Sequence, residues 1–212
     1  MRLKNLMKLV VLIFCCLFTK SLFAENKILI QEDYWVGNQC LENGVPWQVP
    51  QSIYKEDENC SKEDVALELG TGGSTIFLAQ RCKHVIAIET DKAWAASVQN
   101  QLDKLNITNV SLHYIPEQAQ IESFLKGLDT SDVTIFSVDT VHGYSRSAFV
   151  NVFLDKGISE KLRMIVADNY GDSILFPLHY NTEIINSSDW EMFTYDDPHW
   201  CGNGTRLYIR KI

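Results

Sequence analysis

Positive charge is in short supply: 19 Lys and Arg stand against 27 Asp and Glu, for a formal net charge of -8 and a pI near 5.1. Phosphate backbones are gripped by clustered Lys and Arg, so a nucleic-acid partner is not expected and a small molecule is. Long apolar runs are missing too. The leader holds a ten-residue run, Leu9 to Phe18, where a spanning helix needs about 20 residues. No Cys-x-x-C pair or Cys/His cluster is present, which removes the usual sign of structural zinc. Internal repeats, low-complexity tracts and a domain linker are also absent. What remains, 46% hydrophobic and 22% charged residues, is the composition of one globular core.

The first 24 residues carry Arg2, Lys4 and Lys8, then the apolar run, then "SLFA". That order fits a secretory leader cut after Ala24. Leu22 is bulky for such a site, so retention as an anchor stays open. The expectation is a secreted or periplasmic protein if the leader is removed, and a membrane-anchored one, through this segment alone, if it is not. Cys40, Cys60, Cys82 and Cys201 then remain, an even number compatible with disulfides. Cys40 with Cys60 is the favoured pair, since both flank a polar, loop-rich stretch.

Residues 25–61 mix aromatics with turn formers and read as an irregular lid with one short helix near Pro50 to Lys55. From residue 62 to 212 the pattern becomes regular. "VALELG", "HVIAIET", "NVSLHYI", "VTIFSVD" and "RMIVAD" are short buried strands. Between them, "STIFLAQRC", "KAWAASVQNQLDKL", "QAQIESFLKGL" and "RSAFVNVFLDKGI" have helical spacing. Alternation of this kind predicts a doubly wound, Rossmann-like α/β domain with a mostly parallel sheet. "WEMFTYDD" and "TRLYIRKI" leave no room for a helix between them, so the carboxyl end is antiparallel.

Ligands of such sheets sit at the carboxyl ends of the strands. The loop "GTGGST" stands there, and its glycines allow a sharp turn and close approach of backbone to ligand. It departs from G-x-G-x-x-G, because Thr75 takes the place of the last glycine. A dinucleotide pyrophosphate, and with it a nicotinamide-dependent oxidoreductase, is therefore disfavoured. Glu89 closes the second strand, where a carboxylate can accept both hydroxyls of a ribose.

"LELGTGGST" followed by "IAIETDKAW" resembles the S-adenosylmethionine-binding half of class I methyltransferases. The resemblance implies that Gly70, Thr71, Gly72, Gly73 and Ser74 run under the methionine part of the cofactor. It also implies that Glu68 lies near the amino group and that Glu89 holds the ribose. Trp94 matches an acid-gap-Trp pattern in a group of these proteins, and Gln118 falls where related enzymes edge the adenine.

Asp139 ends the fourth strand in "FSVDTVHGY", and Asp168 and Asn169 end the fifth in "MIVADNYGD". Three oxygen donors at neighbouring strand ends suit a hard cation such as magnesium. They resemble the metal ligands of catechol O-methyltransferase-like enzymes, with His142 where those enzymes carry a catalytic lysine. "DTVHGY" also resembles the Asp-Gly-x-His-x-Tyr strand end of methyltransferases in which a metal is not assured. The expected function is O-methylation of a small molecule, with Asp139 shared between cofactor, metal and acceptor and His142 as proton acceptor. Trp35, Trp47, Tyr170 and Trp200 are candidates for an acceptor wall. An exported, non-catalytic binding protein on the same fold is the alternative.

Overall fold

The computed structural model describes residues 37–140, 146–155, 159–170, 188–196 and 204–211. These residues belong to one compact unit. The regular elements are α1 (Gly37–Asn43), α2 (Pro50–Asn59), β1 (Val65–Leu69), α3 (Gly73–Arg81), β2 (His84–Glu89), α4 (Lys92–Lys104) and β3 (Val110–Tyr114). They continue with α5 (Gln118–Gly127), β4 (Ile135–Val138), α6 (Arg146–Asp155), β5 (Met164–Asp168), β6 (Trp190–Tyr195) and β7 (Thr205–Arg210). The strands form one seven-stranded sheet in the order β3-β2-β1-β4-β5-β7-β6. β1 to β5 are parallel; β7 runs antiparallel between β5 and β6. This is the doubly wound α/β arrangement that the alternating pattern predicts, with its antiparallel finish.

Burial explains the strand sequences. β4 and β5 are buried at every position and β1 at all but its first, so they read as largely apolar runs, broken only by Glu68, Ser137 and the terminal Asp168. β6, at the sheet edge, is buried only at Trp190 and half-buried or exposed elsewhere. On one face Leu67, Phe136 and Ile165 pack with Ile121 of α5 and Phe149 and Phe153 of α6. Phe136 stacks on Phe153 at 4.1 Å between ring centroids. On the other face Leu41, Ile76, Val98 and Leu102 join α1, α3 and α4. Covering both faces leaves the strand ends as the natural place for a ligand.

The amino-terminal segment is more ordered than expected. Within the expected lid, residues 37–59 hold two helices rather than one, and 25–36 lie outside the described residues, as does the leader. α2 starts at Pro50 because proline's missing N–H costs nothing in a first turn. α1, "GNQCLEN", has no apolar periodicity of its own and is held by packing against α3 and α4. Its end is tied by a bond from Val45 N to Cys40 O at 3.0 Å.

The favoured Cys40–Cys60 pairing is not borne out. A Cβ on Gly73, at the start of α3, would run into the carbonyls of Cys40 and Val45. Asp57, near the end of α2, pairs instead with Arg81 at the far end of α3. The two cysteines thus sit at opposite ends of α3, a separation of about 12 Å at 1.5 Å per residue. A disulfide needs Cα atoms within about 7 Å. Among the described residues, no helix is long and apolar enough to cross a membrane.

Candidate functional site

The end of β1 and the start of α3 are joined by a loop whose polar atoms are closely accounted for. Gly70 has φ +86, a left-handed conformation, and a Cβ there would collide with the backbone of Asp139. Gly73 is pressed on the carbonyls of Cys40 and Val45. At these two positions protein packing alone requires glycine. Gly72 differs: a Cβ there would meet nothing closer than the Trp94 ring at 3.7 Å. Of the three, only Gly72 leaves bare backbone that a ligand can approach.

Thr75, which breaks the dinucleotide pattern, has a specific duty. Its hydroxyl accepts from Gly72 N at 3.0 Å and donates to Glu68 Oε2 at 2.7 Å. It caps α3 and ties the loop to the end of β1 at once, which glycine there could not do. The nearby Ser74 hydroxyl also favours the ionised form of Glu68. The other oxygen, Glu68 Oε1, is buried and has no partner. Burial, against the pull of the Ser74 and Thr75 hydroxyls, pushes the Glu68 carboxyl up to about 8; Asp139 and Glu89 add to the rise.

Glu89 is fully buried at the end of β2. Its Oε2 accepts from Thr71 N at 3.1 Å and Thr71 Oγ1 at 2.6 Å; its Oε1 accepts from Thr90 N at 2.6 Å and Asp91 N at 2.8 Å. Trp94 Nε1 donates to Thr71 O at 2.6 Å. The main chain of Trp94 is itself placed by Asp91, whose side chain caps α4. Glu68, the glycine loop, Glu89 and Trp94 therefore form one connected cluster. Gln118 is not joined to it by a recorded bond: its amide donates to Glu122 on the same helix at 2.9 Å.

The second constellation is organised around a residue that sequence reasoning passed over. Arg146, at the start of α6, is 4% exposed. Its Nη2 pairs with Asp139 Oδ1 at 2.8 Å and donates to Thr140 O at 2.6 Å; Nε also donates to Thr140 O, at 3.0 Å. Nη1 donates to Asp168 O at 2.7 Å and to Asn169 Oδ1 at 3.1 Å. Asn169 presents that oxygen from a left-handed backbone, φ 53. Asp168 Oδ1 meanwhile accepts from Thr205 Oγ1 at 2.6 Å. Thr205 Oγ1 in turn accepts from Val49 N at 3.2 Å, which fastens the segment before α2 to the same strand ends.

This arrangement does not fit a divalent cation on Asp139, Asp168 and Asn169. Two of the three intended donors already bind a guanidinium and the third binds a hydroxyl. A metal ion would sit against a buried fixed positive charge. Among the described residues no group of three or more His, Cys, Asp and Glu is placed to hold a metal. His142, the expected proton acceptor, lies outside the described residues.

The crevice is crowded with acidic side chains. Glu56, Glu68, Glu89 and Asp168 are all buried. Burial raises Glu56 to about 8, with Glu68 adding to it and Arg81 opposing it. Burial, then Asp139, lifts Asp168 well above the carboxylate range, and burial outweighs Arg146 in lifting Asp139. Like charges crowded in low dielectric disfavour one another's ionised forms, so a cationic ligand would relieve all of them. Of the aromatic residues considered for an acceptor wall, Trp47 is 44% exposed. Tyr170 donates to Asp196 and lies under the Arg206 guanidinium. Trp35 and Trp200 lie outside the described residues.

No family model matches the chain. A candidate cobalt-precorrin-6B C(15)-methyltransferase (decarboxylating) of Methanococcus vannielii is 29% identical over 76 residues, 35% of this chain and 42% of that protein. The chain thus matches less than half the length of that relative. The O-methyltransferase TomG of Streptomyces achromogenes, involved in tomaymycin synthesis and solved with SAM, superposes with a TM-score of 0.58. It is 19% identical, over 92% of this chain and 95% of TomG. A candidate methyltransferase of Streptococcus mutans, solved in complex with SAH, gives a TM-score of 0.55 at 17% identity, over 76% of this chain and 98% of that one. An rRNA methylase of Streptococcus thermophilus gives 0.52 at 15% identity, over 74% and 92%. The fold is that of class I methyltransferases.

Proposed function

We propose that the protein is an S-adenosylmethionine-dependent methyltransferase acting on an oxygen of a small molecule. The observation that carries this reading is Glu68 Oε1, a buried acceptor without a partner, set beside the glycine loop in a crevice of mutually repelling carboxylates. An α-ammonium group would satisfy that oxygen and offset that charge. Bare backbone at Gly72 beside Trp94 and a carboxylate at the end of β2 suit a nucleoside. The neighbouring folds solved with SAM and SAH supply the choice of nucleoside.

When bound, S-adenosylmethionine supplies an activated methyl group on a sulfonium. The chain's own task is then mainly alignment, which can be worth up to about 7–11 kcal/mol where geometry is ideal. Glu68 orients the amino-acid end through Oε1. Glu89 holds the ribose while keeping Thr71 and the loop in place, and Thr75 prevents the loop from opening away from β1. Arg146 holds Asp139 and Asn169 at the acceptor side as a built-in cation, so no metal ion enters this reading. His142 takes the acceptor's proton at neutral pH. The net charge of -8 favours a small molecule over RNA as acceptor.

Calorimetric titration of the full chain with S-adenosylmethionine tests the reading. Saturable one-to-one binding is expected, with Glu89→Ala abolishing it. Absence of binding at millimolar ligand, or binding indifferent to Glu89→Ala, would overturn it.

A further inference from the structure

The ends of α2 and α3 are brought together by contacts that bracket two cysteines. Asp57 pairs with Arg81; Lys62 Nζ donates to the carbonyl of Gln80; the carbonyl of Asp64 accepts from Lys83 N at 2.8 Å and His84 N at 3.3 Å. Between these pairs stand Cys60 and Cys82. Each is the residue that terminates its helix, and each has left helical geometry for an extended one, φ -90 and ψ 148 at Cys60, φ -97 and ψ 163 at Cys82. Contacts before and after the two residues hold them side by side. Each is a free thiol, and Cys82 is the neighbour that acts most strongly on the Cys60 thiol.

We propose that Cys60 and Cys82 form a structural disulfide that locks α2 onto the helix whose first turn carries the glycine loop. Cys60 is part-exposed and Cys82 is 2% exposed, so an oxidant reaches Cys60 first. The Cys60 thiolate attacks a small disulfide oxidant, releasing one thiol and leaving a mixed disulfide. The Cys82 thiolate then attacks the Cys60 sulfur and releases the second thiol. The protein loses two thiol protons and two electrons; the oxidant's S–S bond is reduced to two thiols. The neighbouring Cys82 thiol, then burial, then the Glu56 carboxylate hold the Cys60 thiol above its ordinary range. Reactive redox cysteines have depressed values, so this pair serves structure and not turnover. The lock needs no cofactor and is independent of the methyl-transfer reading.

The test is to expose the reduced full chain to oxidised glutathione, alkylate remaining thiols, digest without reductant and map the peptides by mass. The expected product has monomer mass and one cross-linked pair that joins the Cys60 and Cys82 peptides. Oxidation should raise the melting temperature by about 5–12 °C, given the loop that the bond closes, and should leave a Cys60→Ser, Cys82→Ser double variant unchanged. Alkylated Cys60 after oxidation, a persistent glutathione adduct, or pairing of Cys60 with Cys40 or Cys201 would each overturn the proposal. The map is read on the unaltered chain, so it stands even if the variant folds poorly.

Discussion

Glu68 makes the methyltransferase reading testable through protons. Its carboxyl titrates near 8 in the free protein because it is buried, whereas an ammonium ligand requires it ionised. The binding-competent fraction is then about one molecule in a hundred at pH 6, one in eleven at pH 7 and one in two at pH 8, and apparent affinity scales with that fraction. The dissociation constant for S-adenosylmethionine should fall about tenfold from pH 6 to 7 but only about two- to threefold from 7 to 8, because the ligand's own α-amino group, with a pKa of about 7.7–8.0, loses its proton over the same range. Affinity should peak near pH 8 and decline above it. Calorimetry in two buffers of different ionisation enthalpy should register release of close to one proton on binding at pH 6.5. Methylthioadenosine, which lacks the amino-acid end, should bind without that proton. Glu68→Gln should abolish the slope and weaken binding at pH 8 by about 10- to 150-fold, the range of a charged hydrogen bond of about 1.5–3 kcal/mol. A pH-independent affinity in the unaltered protein, or a slope that survives Glu68→Gln, would refute the assignment of Oε1 to the ammonium.

Two further outcomes follow from the same crevice. Glu56 is also raised to about 8 by burial. Such a group contributes stability that is fully present below its unfolded value near 4.5 and is lost as pH rises through about 8. Glu56→Gln should therefore melt like the unaltered chain at pH 5 and about 5–10 °C higher at pH 9, a difference of a few kcal/mol; parallel melting curves across that range would show that the carboxyl is not protonated in the fold. Arg146→Met leaves Asp139 and two carbonyls without their donor, and breaking a buried pair from one side costs about 3–5 kcal/mol. Its melting temperature should drop by roughly 10 °C, with no recovery in millimolar magnesium; a magnesium-dependent rise in either protein would reinstate a metal on Asp139.

Most of the fold was legible because its signals are local. Central strands appear as largely apolar runs, helices show their spacing, and Asp91 caps the helix that it precedes. Contacts distant in sequence were not legible. α1 has no periodicity to detect, since its stability comes from packing on α3. Arg146 reads as the polar start of an amphipathic helix; nothing in "RSAF" says that the guanidinium folds back to the ends of β4 and β5. Without it, three oxygen donors at strand ends look like a cation site. The metal ion expected there is not supported: a guanidinium of the chain itself occupies Asp139 and Asn169.

The glycine loop makes the same point about evidence of absence. A glycine loop suggests close approach of backbone to ligand, yet at Gly70 and Gly73 the space is already filled by the carbonyls of Asp139, Cys40 and Val45. Bare backbone signals close approach of something, and only a census of neighbours tells protein from ligand. The informative letter is Thr75, the one that breaks the dinucleotide pattern. Its hydroxyl occupies Glu68 Oε2 and thereby leaves Oε1 as the single oxygen without a donor. A glycine in its place would remove the Oε2 donor and release the cap on α3, so the departure from the dinucleotide pattern ties down one Glu68 oxygen and, on the proposed function, leaves the other for a ligand's amino group.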